Sequence, residues 1–287
     1  ELIDRHSAAV LNSRRDAAMR DFERLGLPHK RQEEFLHTDI EAFYAPDYGL
    51  NLARIAPQAT IKESFRCAVP DLESQPYFFV GDIFSGNNTK PLPEGVLACS
   101  LCEAATRYPD LVDRYYGRLA GTGKDGTVAL NTALVQDGFF LYVPRHVKIE
   151  KPLQIVHLTH GSHDFMANLR MLVVLEEGAQ ARLLACDHTL DKGHFLTSAV
   201  NEIFVGPDLE ESTLNTHRVA STFIRQERSS NVLVNGITLH NGYTRNNFTI
   251  TLEGEGAETH LYGMAVADKR QAVDNFTFID HKAAHCT

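Results

Sequence analysis

The stretch from Leu130 to Pro152, LNTALVQDGFFLYVPRHVKIEKP, is where the hydrophobic pattern changes its period. Ahead of it, apolar residues recur at helical spacing; after it, apolar runs are short, β-branched or aromatic, and punctuated by glycine. Within it, Gln136, Asp137 and Gly138 read as a polar turn and Phe139 to Val143 as a strand-length apolar run. Pro144 ends that run because it withholds a backbone donor. Val147 and Ile149 then alternate with Lys148 and Glu150 until Pro152. The pattern predicts the first rungs of a long β-structure preceded by a helical region.

On the N-terminal side, Leu2, His6, Ala9, Val10, Ala18, Phe22 and Leu25 fall near one helical stripe that Gly26 and Pro28 stop. HKRQEEFLHTDIEAFY (residues 29–44) offers Phe35, Leu36, Ile40, Phe43 and Tyr44 as a second apolar surface, and Tyr77 to Val80 reads as a strand. Ser100 and Glu103 have capping-box spacing, so a helix is predicted to start there and to break at Pro109. The glycine-rich Gly121 to Gly126 marks the boundary between a helical region, 1–125, and a β-rich core, 126–287.

In that core the predicted strands are Phe139 to Val143, Gln154 to Leu158, Met171 to Leu175, Ala181 to Ala185, Glu202 to Val205, Val232 to Val234, Phe248 to Leu252, Thr259 to Tyr262 and Phe276 to Ile279. In FTITL, strict alternation puts Phe248, Ile250 and Leu252 on one face. With no helices between strands, the series argues against a βαβ fold and for a sandwich, a barrel or a stacked β-helix.

Composition narrows the function classes. The chain has 287 residues and a net charge of -9, which argues against a nucleic-acid or anionic-membrane partner. Five cysteines, Cys67, Cys99, Cys102, Cys186 and Cys286, are an odd number and predict a reducing cytoplasm rather than a disulfide framework. No apolar run reaches the ~20 residues needed to span a bilayer.

Several fragments carry chemistry in principle. GTGKDGT at Gly121 to Thr127 fails phosphate-loop spacing and puts Asp125 where a hydroxyl is needed, so it reads as a linker. Cys99 and Cys102 form a C-x-x-C at a predicted helix start, where the helix dipole would lower a thiol pKa; two small buried residues are the plainer reading. His157, His160 and His163, and Cys186 with His188, lack a recognised ligand spacing. DHKAAHC, with Asp280, His281, His285 and Cys286, is the densest run of metal-ligand types. The candidate metal residues are therefore Cys286, His281 and His285. No catalytic motif is present.

NTALVQDGFFLYVPRHVKIEKPLQI resembles the opening of the β-helical core of the SufB/SufD family, scaffold subunits of the SufBCD iron-sulfur cluster assembly complex. LEEGAQARLL (Leu175 to Leu184), RNNFTITLEGEGAETHLYGM (Arg245 to Met264) and QAVDNFTFIDHKAAHC (Gln271 to Cys286) follow in the family's order. RQEEFLHTDIEAFY (Arg31 to Tyr44) is similar to the acidic-aromatic motif ahead of the core in the SufD branch.

The resemblance implies a mainly β fold, a right-handed parallel β-helix core with a mostly helical N-terminal region. It implies a non-catalytic scaffold that meets a SufB-like subunit through the β-helix and a SufC-like ATPase through a C-terminal region beyond Thr287, so the β-helix is expected to be incomplete here. It implies no firmly bound cofactor for this chain alone and a transient iron-sulfur cluster in the complex, and leaves FAD undetermined. The family's main metal-site histidine lies in that further region; at His281 and Cys286 the match marks position in the fold. An exposed β-helix edge makes a homodimer in isolation a further expectation. Two rival readings are a β-helical carbohydrate-active enzyme, which needs opposed acids on one exposed face, and a metal-binding β-barrel enzyme. Asp208, Glu210 and Glu211 sit too close together on a predicted turn to serve the first.

Overall fold

Phe139–Val143 is a strand, β4, but it is not where the β-structure starts. In this computed structural model, which describes residues 2–55, 73–87, 90–160, 164–190, 194–205, 218–239, 243–267 and 271–287, the first strand is β1, Gln75–Val80, and it pairs in parallel with β5, Leu153–Thr159. Cys67, His163, Asp208, Glu210 and Glu211 lie outside the described residues.

From β4 onward the chain winds between two faces. One face is a seven-stranded sheet in which β4, β6 (Phe165–Leu175), β8 (Phe195–Val205), β9 (Arg218–Gln226), β11 (Tyr243–Leu252) and β13 (Ala272–His281) run parallel as neighbours. At its margin β3 (Leu97–Ser100) adds antiparallel to β4. The other face holds β5 beside β7 (Leu183–Thr189), with β1 and β2 (Ile83–Asn87) beyond, and separately β10 (Asn231–Leu239) beside β12 (Glu258–Val266). Strands of the two faces, each paired in parallel with a strand of the neighbouring turn on its own face, make a β-solenoid of about 4 turns; β8 and β9 are neighbours on the same face, with residues 206–217 between them in the chain. A barrel or an antiparallel sandwich is thereby ruled out, because the ladders of the winding are parallel and its two faces stay separate.

Parallel, in-register stacking turns strand alternation into columns. Leu141, Val173, Ile203, Ile224, Ile250 and Ile279 are register partners from one turn to the next. The first five are packed in the main core, so each β-branched side chain stacks on its equivalent above and below. Phe248, Ile250 and Leu252 share the inward face as their alternation requires, and Ile250 and Leu252 are fully buried.

The opposite face of β4, β6 and β8 is covered by helices. Phe140, Leu172, Val174 and Phe204 pack against Leu11, Leu101, Ala104, Val112 and Tyr116. Burial on both faces is why the C-terminal halves of these strands, MLVVL in β6 and IFV in β8, read as unbroken apolar runs. The covering helices are α1 (Ala9–Asn12), α2 (Arg15–Leu25), α4 (Leu101–Arg107), α5 (Pro109–Tyr115) and α6 (Gly126–Leu134), with α3 (Ile40–Tyr44) on a separate patch beside Met166 and Leu196. The stripe read from Leu2 to Leu25 is split: a 3-10 turn at Asp4–His6 and α1 precede α2. Ser100 caps α4 by accepting from Glu103 N at 3.1 Å, and Pro109 opens α5.

The turn Gln136 to Gly138 is buried although it is polar, and its side chains are hydrogen-bonded to backbone groups. Gln136 donates to the carbonyls of Ile3 and Leu52, and Asp137 accepts from Cys102 N and Gly138 N. A Cβ on Gly138 would lie 1.9 Å from the Arg170 carbonyl oxygen, so only glycine fits where β4 meets β6.

Candidate functional site

The charged residues that matter most stand in the middle of apolar strands. On the helix-covered face, Arg170 of β6 and Glu202 of β8 are fully buried and paired at 2.6 Å. Glu202 also accepts from the backbone N–H groups of Gly117, Leu119 and Ala120 at 2.8–3.0 Å. Arg170 donates to Thr132 Oγ1 at 3.2 Å and lies 4.8 Å over the Tyr116 ring. Asn131 donates to the carbonyls of Leu169 and Ser198. Asn131 and Thr132 thus anchor the helical layer to the sheet.

A second cluster faces the solenoid interior. His157 Nε2 meets the Gly81 carbonyl at 2.6 Å and Nδ1 meets Asp187 Oδ1 at 2.9 Å, a pair of bonds that is complete when both nitrogens carry hydrogen. Arg218 pairs with the other oxygen of Asp187. Burial opposes ionisation of Asp187, but Arg218 and His157 outweigh it and hold the carboxyl below the usual range.

A third cluster joins Arg54 to Asp82 at 3.0 Å and to Asp137 at 3.5 Å. Burial pushes the Asp82 carboxyl up to about 6 against the pull of Arg54. A raised value means that the folded state holds the proton more tightly than the unfolded one. The stabilising contribution is therefore complete below the unfolded carboxylate value, ~4, and is lost as pH rises through about 6. The Asp82 carboxyl 13C resonance is expected to titrate with a midpoint about 6, and Asp82→Asn should flatten stability across that window; a midpoint at or below ~4 would contradict the assignment.

The fragments singled out in the sequence fall differently. Burial pushes the Cys99 thiol up to about 12 and raises that of Cys102, with Glu103 and Asp137 adding to the effect. This is the reverse of thiol activation. Asp125 of GTGKDGT caps α6, accepting from Thr127 N at 2.7 Å and from its hydroxyl. His160 is exposed, unlike His157. His188 is half-buried and, through burial first, lowered in pKa; Cys186 is buried, 3.5 Å from Gln154 Nε2. His281 ends β13, His285 lies in the following turn, and Cys286 is half-buried with its thiol 3.2 Å from the Gly254 carbonyl. Among the described residues no three His, Cys, Asp or Glu side chains gather to hold a metal, these included.

The segment RQEEFLHTDIEAFY is fixed on the last turns. Arg245, buried in β11, pairs with Asp274 of β13 at 2.5 Å, lies 4.8 Å over the Phe35 ring and donates to the Glu34 carbonyl. Thr38 also reaches Asp274. In contrast, the last turns expose Tyr262, Met264 and Val266 along β12 and Phe278 on β13, each about half exposed.

This combination, a helical cap strapped onto a parallel solenoid, coincides with what comparison with known families finds. A family described as the SufBD protein N-terminal region matches residues 1–155, and one described as the SUF system FeS cluster assembly, SufBD core domain, matches residues 157–287. The chain belongs to the SufBD family. An iron-sulfur cluster assembly SufBD family protein of Synechocystis sp. is 23% identical over 289 residues, covering 94% of this chain and 63% of that protein. One of Staphylococcus aureus (strain MRSA252) is 27% identical over 241 residues, covering 78% and 51%. ABCI9 of Arabidopsis thaliana is 37% identical over 93 residues, covering 32% and 20%. The chain spans less than two thirds of the length of each of these SufBD relatives. Among the described residues no helix is long and apolar enough to cross a membrane.

Proposed function

We propose that this chain is a SufD-like, non-catalytic scaffold component of iron-sulfur cluster biogenesis in the cytoplasm, and that it pairs with a SufB-like subunit through the outer face of its last turns. The observation that carries the reading is the stripe Tyr262, Met264 and Val266, left open to solvent along one face of β12, whereas the outer face of β4, β6 and β8 is covered by helices. Contiguous exposed apolar side chains of this kind mark protein contact surfaces. The raised thiols of Cys99 and Cys102 and the capping role of Asp125 support a chain that does not itself run redox or nucleotide chemistry.

In this reading ATP is hydrolysed by a SufC-like partner and the cluster is cargo of the complex. His281 and His285, both exposed, are the donors this chain would offer to it. The test is anaerobic co-expression with a SufB-like subunit and a SufC-like ATPase. Retention of all three chains, with ATP turnover only when the ATPase is present, is expected. A chain that purifies alone beside both partners, or that hydrolyses ATP by itself, would overturn the proposal.

A further inference from the structure

Residues 27–48, which contain the acidic-aromatic segment, are held on the solenoid differently from the rest of the helical layer. Among the described residues, the backbone–backbone hydrogen bonds of this segment stay within it: Phe35 N donates to the Gln32 carbonyl, Thr38 N to that of Phe35, Phe43 N to that of Asp39 and Tyr48 N to that of Pro46. Its regular structure is a 3-10 turn at Glu33–Phe35 and the short helix α3, both too short to persist in water without tertiary contacts.

The two ends are fixed. Behind α2, the Gly26 carbonyl oxygen approaches Gly126 so closely that a Cβ on Gly126 would lie 1.7 Å from it. At the other end Gly49 donates to the Asp164 carbonyl and accepts from Met166 N, both at 3.0 Å.

Side chains hold the middle. Phe35, Ile40 and Phe43 are buried against Met166, Leu196 and Val219, in a cluster separate from the main core. Arg245, itself held on the solenoid by Asn247 and Asp274, donates to the Glu34 carbonyl and lies over the Phe35 ring, and Thr38 donates to Asp274. Beside these contacts runs an open cleft of about 450 Å³, lined by His37, Phe43 and Tyr48 of the segment and by His194, Tyr243 and Asp274 of the solenoid. The helix α6, by contrast, is tied through Asn131 to the carbonyls of Leu169 and Ser198 within the sheet. A segment with fixed ends, no shared backbone ladder and its own small apolar cluster has what a separate cooperative unit needs.

We propose that residues 27–48 form a hinged strap that opens as one unit from the folded solenoid, with the Arg245–Asp274 pair as its lock and the apolar face of Met166, Leu196 and Val219 as the surface it covers. Opening leaves the main core intact, because the cluster under the strap is not part of it. The strap is independent of the assembly role proposed above.

Hydrogen exchange of the whole chain, read by mass spectrometry at a series of urea concentrations below the unfolding transition, tests it. Peptides from residues 29–44 should exchange through an opening whose urea dependence is at most about half that of peptides from β8 and β11, because the slope follows the surface exposed. Arg245→Met removes the bond to Glu34 and the charge over Phe35. It should speed exchange in residues 29–44 by at least about tenfold while α6 and β8 stay within about twofold. Thr38→Val, which alters the strap alone, makes the same comparison if Arg245→Met does not fold. Equal urea dependence in the strap and the strands of the unaltered chain would overturn the proposal. So would a folded variant in which α6 and β8 accelerate along with the strap, or in which the strap does not accelerate.

Discussion

Replacing Glu202 by alanine is expected to lower the unfolding free energy by about 3–5 kcal/mol, the usual cost of removing one member of a buried ion pair. The Arg170 guanidinium would be left in a fully buried site with no carboxylate, and the N–H groups of Gly117, Leu119 and Ala120 would lose their acceptor. Against a total stability of roughly 5–15 kcal/mol the loss is large enough to loosen the helical layer from the sheet. Urea unfolding should show the shift, and hydrogen exchange should accelerate at those three amides. The double variant Arg170→Met/Glu202→Leu removes the stranded cation but not the orphaned N–H groups, so it should recover only part of the loss. A Glu202→Ala variant within about 1 kcal/mol of the unaltered chain would mean that this pair does not clamp the two layers.

Phe139→Ala should cost a comparable ~3–5 kcal/mol for a different reason. Phe139 is buried and its ring lies 5.0 Å from that of Tyr77, edge to face, which joins the two faces of the solenoid at its first turn. The variant forfeits the transfer of a large ring, the ring pair at about 0.5–1.5 kcal/mol, and the filling of a site that cannot collapse around backbone ladders on both sides. Phe278→Ala, at a side chain about half exposed on β13, should move the urea midpoint far less in the isolated chain, by roughly 0.5 kcal/mol or under. Equal effects at the two phenylalanines would contradict the interior and exterior assigned to these strands.

The legible part of the fold was the part written in periodicity and caps. FTITL gave its inward face because a strand with one buried face must alternate, and Ser100 with Glu103 marked the start of α4 because a helix N-terminus needs an acceptor. The nine strands read after Asp125 all fall on or overlap strands of the solenoid, although Ala181 to Ala185 is displaced toward the preceding turn, with β7 at Leu183–Thr189. Strand β9 has no such signal: in RVASTFIRQ the inward residues are Arg218, Ala220, Thr222 and Ile224, two of them polar, so there is no apolar alternation to detect.

Pairing partners were hidden for a related reason. Nothing local tells β1 to seek β5 rather than a helical neighbour, since a parallel partner lies a whole turn away in sequence. The charged clusters were equally silent. Arg170 and Glu202 left one trace, a charge in the centre of each of two apolar strands, FMANLRMLVVL and FLTSAVNEIFV. A charge at that position costs too much to bury alone, so a pair of them on neighbouring turns was the available signal. The cysteine and histidine runs drew attention through residue type alone; burial, acid neighbours and strand position then decided what each does.

The most direct test of the scaffold account is the affinity of this chain for a SufB-like subunit, measured by light scattering and biolayer interferometry with the unaltered chain and with Tyr262→Glu/Met264→Glu. Both positions are about half exposed, so the double variant should fold with an unchanged circular dichroism spectrum. The account predicts a one-to-one complex with the unaltered chain and a dissociation constant raised at least a hundredfold, about 2.7 kcal/mol, in the variant. An unaltered chain that forms no complex, or a folded variant that binds as tightly as the original, would contradict it.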